Sequence, residues 1–237
     1  MIGRSRRISL AICRGWKLGA QLTVVKERNR NSSFASAEMP SLRMPEFMTS
    51  SDSAIITVPG LYGSDSTHWQ SRWEKKFGYV RAELGRWNDP FPNEWEGALS
   101  SILKGATKPV VLVGHSLGSM LIVRYLSKHT SHVVGAFLVA PTDTESSSIP
   151  EEAKRFSPIP MTRLPVPSVV VATGSDPYLS IHRSLEFATT WGASLRILEQ
   201  GGHLGRDAGL GEWVEGHQLL QTFIQNLPTT RSEELRQ

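Results

Sequence analysis

The chain has 237 residues, 39% of them apolar and 20% charged, which is enough to bury one sizeable core with the balance of a soluble globular protein. A single cysteine, Cys13, excludes an internal disulfide framework, and no Cys/His cluster has the spacing of a structural zinc site, so the expected setting is reducing and cytoplasmic. The net charge of +4 is uneven: residues 1–50 hold nine Lys or Arg against three Glu, leaving 17 basic and 19 acidic residues beyond them and no nucleic-acid footprint.

Residues 1–50 are expected to be a disordered basic leader or a mis-assigned start, with Met39, Met44 and Met48 as alternative first residues. The alternative is an organelle transit peptide, since the stretch is rich in Arg and Ser and poor in acid. No segment reaches the roughly 20 uninterrupted apolar residues of a membrane-spanning helix. The folded domain is expected over 51–228, followed by a polar tail over 229–237.

The run from Ala54, AIITVPG, is short, apolar and ended by Pro and Gly, as a buried parallel strand should be. Ser66 to Phe77 carries Trp69, Trp73 and Phe77 at helical spacing and predicts an amphipathic helix. A weaker strand follows at Tyr79–Leu84, then a helix at Asn93–Lys104, a strongly apolar strand at Pro109–Gly114 and a helix at Leu117–Ser127. Further strands are expected at Val133–Ala140, Ser168–Thr173 and Ser194–Leu198, and further helices at Ser180–Trp191 and Leu210–Asn226. This alternation predicts a three-layer α/β/α domain with a mostly parallel sheet and right-handed crossovers.

Gly114-His115-Ser116-Leu117-Gly118 matches G-x-S-x-G where a buried strand ends and a helix begins, the setting a nucleophile elbow requires. A serine on so tight a turn is strained, and the flanking glycines keep clashing Cβ atoms away. The helix that follows aims free N–H groups at a developing anion, so the amide of Leu117 is the first expected oxyanion donor. His115 is read as a packing residue, because an elbow neighbour points away from the serine.

Serine needs a base within hydrogen-bond reach, itself oriented by a third group. His203 follows the last strand inside Gln200-Gly-Gly-His-Leu-Gly205, where glycines let the loop turn back over the sheet edge. His182 and His217 fall inside predicted helices. For the acid, Asp176 follows the strand Ser168–Thr173 and precedes Pro177, which keeps it extended; Asp143 is the competitor. The loop Pro59-Gly60-Leu61-Tyr62-Gly63 is expected to supply the second oxyanion amide, from Leu61 or else Tyr62. Tyr62, His68 and Trp69 are candidate pocket residues, although for Trp69 and Trp73 an ordinary amphipathic core face is the better reading. No phosphate-binding G-x-x-x-x-G-K-[ST] is present.

VPGLYGSDSTHWQSRWE, VGHSLGS, GSDPYLS and GGHLGRDAGLGEWVEG, together spanning about Ile55 to Leu227, resemble the RBBP-nine/YdeN family of small serine hydrolases in the α/β-hydrolase superfamily. The resemblance implies a compact fold without a large cap domain, with Ser116 as nucleophile, Asp176 as acid and His203 as base. The binding to retinoblastoma protein that the family name refers to is attributed to an L-x-C-x-E segment, and Cys13 lies in none. The expected reaction is hydrolysis of small acyl esters through an acyl-enzyme, without cofactor, metal, nucleic acid or membrane. The alternatives are an amidase or peptidase using the same groups, and a catalytically idle scaffold on the same fold.

Overall fold

The structure is a computed structural model that describes residues 53–129 and 132–228, together with the backbone of Thr23–Val24. The expectations for the leader and for the tail over 229–237 otherwise lie outside the described residues. The chain runs β1 (Thr23–Val24), β2 (Ala54–Val58), α1 (Trp69–Phe77), β3 (Val80–Arg81), α2 (Pro92–Lys104), β4 (Val110–His115) and α3 (Leu117–Leu126). It continues through β5 (Val133–Val139), α4 (Glu151–Lys154), β6 (Ser168–Thr173), α5 (Ile181–Trp191), β7 (Ser194–Leu198), a 3₁₀ turn at Arg206–Ala208 and α6 (Val214–Gln225).

The strands form one parallel sheet in the order β1-β7-β6-β5-β4-β2-β3. β4 and β5 lie at its centre and are buried on both faces, which is why they read as unbroken apolar runs. Alternate residues split between two cores: Val110, Leu112, Ala136, Leu138, Val170 and Ala172 face α2, α3 and α5. Val111, Val113, Phe137, Val139 and Val171 face α1 and α6, together with Trp69, Trp73 and Trp213. A period of two along each strand thus produces the helix–sheet–helix layering.

α3 is buried along all of its length except Arg124, as the central helix behind the elbow must be. Arg124 meets its polar needs with Glu96 at 2.9 Å and the Phe156 carbonyl at 3.2 Å. α2 starts on Pro92 and buries Trp95, Leu99 and Leu103 at spacings of four. The connection from β5 to β6 holds only the four-residue α4, so among the described residues no cap domain is inserted there.

Three expected elements differ in extent by more than one residue at an end. α1 begins at Trp69 rather than Ser66, because the His68 ring caps it and the preceding Asp65 binds the Thr67 amide at 2.9 Å instead of entering the helix. α6 begins at Val214 rather than Leu210, since Gly209, Gly211 and Trp213 all have positive φ. β3 shrinks to two residues; Ala82 still donates to the Thr57 carbonyl at 2.8 Å before the chain leaves the sheet.

Candidate active site

At the C-terminal edge of the sheet, β4 delivers Ser116 and α3 begins with the next residue. Ser116 has φ 56° and ψ −126°, a sparsely populated conformation that costs about 1–3 kcal/mol. Its own amide stays tied to the sheet by donating to the Val139 carbonyl at 2.9 Å. A Cβ at Gly118 would sit 2.1 Å from the Val58 carbonyl oxygen, and one at Gly114 would sit 2.7 Å from the Cα of Ser119. Both glycines are therefore demanded by close backbone approach, which explains the G-x-S-x-G spacing sterically.

The loop after β7 doubles back through Gly201, Gly202 and Leu204, all with positive φ. It is pinned by Thr173 Oγ1, which donates to the Gly202 carbonyl at 2.5 Å, and by Trp69 Nε1, which donates to the Leu204 carbonyl at 2.9 Å. His203 is thereby placed with Nε2 at 2.7 Å from Ser116 Oγ and Nδ1 at 2.9 and 3.0 Å from the two oxygens of Asp176. The Asp176 side chain is fully buried and also accepts from the Tyr178 amide at 2.8 Å. A carboxylate in that position holds the proton of His203 on Nδ1 and leaves Nε2 free to accept from the serine.

Asp143 faces the other way. Its oxygens are held by Arg183, with Nε at 3.1 Å, and Arg183 also binds Glu186 and Glu145. Of the two aspartates that the sequence left open, only Asp176 lies within hydrogen-bond reach of His203. His182 and His217 lie on α5 and α6 as expected; His217 stacks on Phe77 and bonds to Tyr79 at 2.8 Å, away from the serine.

His115 is 7% exposed and does more than pack: Nε2 donates to the His203 carbonyl at 2.9 Å, bracing the loop that carries His203. Burial, helped by His68 and His203 nearby, holds its pKa well below the usual histidine value, so the ring is neutral. Another residue absent from the sequence reading is Thr142, two positions beyond Ala140, whose Oγ1 lies 3.0 Å from Ser116 Oγ. The available signal was its place after the strand that neighbours the elbow strand, where side chains reach the same sheet edge.

These groups open into a cleft of about 790 Å³. Leu61, Pro150, Ala153 and Tyr178 give it apolar walls, and Asp65, Arg206 and Asp207 lie at its charged side. The amide of Tyr62 donates to the Trp87 carbonyl at 2.8 Å, and that of Gly63 to the Gly60 carbonyl at 3.0 Å. The amide of Leu61 makes no hydrogen bond among the described residues, and that of Leu117 opens α3, where no intrahelical acceptor exists. A Cβ at Gly60 would lie 3.1 Å from the Leu117 nitrogen, so the two loops are in direct contact.

Tyr62 stands at the cleft mouth, 59% exposed. His68 lines the cleft wall; its Nδ1 accepts from the Gln70 amide at 3.2 Å, and among the described residues its buried Nε2 has no hydrogen-bond partner. Burial pushes its pKa down to about 4. Trp69 takes the core position that was the alternative to its pocket role: it is 1% exposed, packs tilted on Trp73 and edge-on to Trp213, and does not line this cleft. Among the described residues no group of three or more His, Cys, Asp or Glu side chains is placed to hold a metal ion.

A family profile described as serine hydrolase matches residues 55–222. A YdeN-like hydrolase from Pectobacterium atrosepticum is 30% identical, with 74% of this chain and 92% of that chain aligned at a TM-score of 0.67. The ydeN gene product of Bacillus subtilis is 20% identical over 73% of this chain and 99% of that one, at a TM-score of 0.62. The mouse alpha/beta hydrolase domain-containing protein 10 is 19% identical over 73% and 88%, at a TM-score of 0.53, a likeness of fold alone. No curated protein sequence matches the chain.

Proposed function

Since the chain belongs to the serine hydrolase family and has the compact α/β-hydrolase fold, we propose that it hydrolyses small acyl esters through a Ser116–His203–Asp176 triad. One observation carries this reading: an unbroken hydrogen-bonded line from the buried Asp176 carboxylate through both ring nitrogens of His203 to Ser116 Oγ. In the acylation step Ser116 Oγ attacks the ester carbonyl while its proton passes to His203 Nε2. His203 then protonates the leaving alcohol, and Asp176 stabilises the imidazolium in between. Water repeats the sequence on the acyl-enzyme, and the acid is released.

The amides of Leu61 and Leu117 are the two donors to the oxyanion, because Tyr62 and Gly63 have already given theirs to backbone carbonyls. Such donors act when charge develops and are worth about 10²–10³ in rate each. Tyr62 at the mouth and His68 in the wall are the residues that meet the substrate's outer parts. The apolar wall of Leu61, Pro150 and Ala153 suits a short acyl chain.

Labelling of the purified protein with a fluorophosphonate, wild type beside Ser116→Ala, tests the nucleophile. Hydrolysis of p-nitrophenyl esters of increasing chain length then tests the ester reading and sizes the acyl site. We expect labelling that is lost in the alanine variant, with fastest turnover on short chains. A well-folded wild type that neither labels nor turns over would instead support an idle scaffold, and turnover confined to anilides an amidase.

A further inference from the structure

The proton count at Ser116 leaves one hydrogen bond to be assigned. Asp176 holds the proton on His203 Nδ1, so Nε2 has only a lone pair to offer, and the single proton of Ser116 points to it across 2.7 Å. The 3.0 Å contact between Ser116 Oγ and Thr142 Oγ1 then has one consistent direction, with Thr142 donating and Ser116 accepting. We infer that Thr142 is a further catalytic residue, whose hydroxyl fixes the Ser116 side chain and stabilises negative charge on Oγ whenever the Oγ–H or Oγ–C bond is being made or broken.

The chemistry balances without new partners. In acylation the Oγ–carbon bond forms as the Oγ proton moves to His203 Nε2, and Thr142 keeps its own proton while its hydrogen bond strengthens. In deacylation water adds to the acyl carbon as His203 takes its proton, the Oγ–carbon bond then breaks to release the acid, charge returns to Oγ, and His203 gives the proton to it. The same hydroxyl serves both steps because both pass through the same charge on the same oxygen.

Three observations support a built position rather than a chance contact. Thr142 is 4% exposed, lines the cleft, and among the described residues its hydroxyl bonds to nothing else. The turn that brings it over the edge passes through Ala140, fully buried with φ 43°. Strained non-glycine residues also occur in the loops that carry Leu61 (Tyr62, φ 67°) and His203 (Leu204, φ 52°), and at Ser116 itself (φ 56°). The loop after β5 thus shares a device with the loops that hold the reacting groups. Finally, the next residue is anchored on both sides: the Asp143 amide donates to the Tyr178 carbonyl at 3.1 Å, and its carboxylate is held by Arg183. That ties Thr142 to the loop of Asp176 and fixes its distance from His203.

The inference rests on Ser116 being the nucleophile, and the test separates the two. Thr142→Val keeps the shape and removes the hydroxyl; Thr142→Ser keeps the hydroxyl; Thr142→Ala removes it without the valine methyl. The readouts are the second-order rate of fluorophosphonate labelling, and kcat and KM on p-nitrophenyl acetate. We expect the valine and alanine variants to label and turn over roughly tenfold slower, which is the rate equivalent of about 1.4 kcal/mol for one buried neutral hydrogen bond. KM should stay within about twofold, since the hydroxyl touches the nucleophile and not the substrate, and Thr142→Ser should recover most of the rate. Wild-type labelling matched by Thr142→Val overturns the inference alone, as does an equal loss in all three variants, which would assign the effect to packing. A wild type that does not label removes the nucleophile reading and this inference with it.

Discussion

Replacing Asp176 by Asn tests the site through a single proton. The Tyr178 amide donates to Oδ1 at 2.8 Å, so in the asparagine variant the amide oxygen stays there and the NH₂ group takes the place of Oδ2. That places a donor 2.9 Å from His203 Nδ1, which already carries a proton, while the remaining oxygen, 3.0 Å from Nδ1, is shared with the Tyr178 amide. The clash of two donors is relieved when the ring moves its proton to Nε2, and Nε2 can then no longer accept from Ser116. A wrong tautomer of this kind lowers kcat by about 10⁴, or about 5 kcal/mol in the barrier, while leaving the fold in place. The parallel change Asp143→Asn leaves Arg183 with Glu145 and Glu186 as partners and should alter kcat by no more than about threefold. Initial rates on p-nitrophenyl acetate, with far-UV circular dichroism as the fold control, measure both. An Asp176→Asn enzyme within tenfold of wild type, or a large loss from Asp143→Asn, would refute the assignment of the acid.

Two further outcomes follow from sterics and from linkage. Gly118→Ala forces a Cβ to within 2.1 Å of the Val58 carbonyl, so either α3 or the loop carrying Leu61 must retreat. We expect a stability loss of about 3 kcal/mol by urea unfolding together with a labelling rate down by at least about 10²; a variant equal to wild type in both would show that the approach is not tight. For His68, burial lowers the pKa from 6.5 to about 4, so the unfolded chain takes up a proton more readily than the native one. Stability present above about pH 6.5 is then lost as the pH falls toward 4, amounting to about 2.5 kcal/mol by pH 4.5, with His115 adding in the same direction. Urea midpoints at pH 7 and 4.5 should differ accordingly, and less so in His68→Gln; a midpoint that is flat over this range contradicts a buried neutral His68.

Much of the fold was legible because its central strands obey a simple constraint. β6 and β7 occupy the expected Ser168–Thr173 and Ser194–Leu198, and β4 and β5 differ by a residue, since a strand buried on both faces can contain little but apolar residues between turn signals. Helix starts were less legible where the cap was unconventional. α1 is capped by the imidazole of His68, not by a Ser or Thr, and α6 starts after Trp213 in a left-handed conformation that no propensity favours for tryptophan. The four-residue α4 and the turn at Arg206–Ala208 are too short to carry a hydrophobic period at all.

The site divides along the same line. Ser116 and His203 could be read because their chemistry forces glycines into the chain, Gly114 and Gly118 around one and Gly201 and Gly202 before the other, and glycine patterns are visible in sequence. Asp176 against Asp143 could not be settled that way, because both follow strands and both suit turns; what separates them is Arg183, forty positions beyond Asp143, which holds one carboxylate and leaves the other for His203. Thr142 and the His115–His203 bond had no spacing rule behind them, since each joins loops from different strands. Yet both lie where strain marks the backbone. Ala140, Ser116 and Leu204 each hold a positive φ without being glycine: Ala140 is two positions before Thr142, Leu204 follows His203, and Ser116 is itself such a residue. Such conformations persist only where the surroundings over-determine them, and here β4, β5 and α3 are buried almost throughout. A core that rigid can hold an unfavourable turn in place, so side chains that no local pattern would align meet at one oxygen atom.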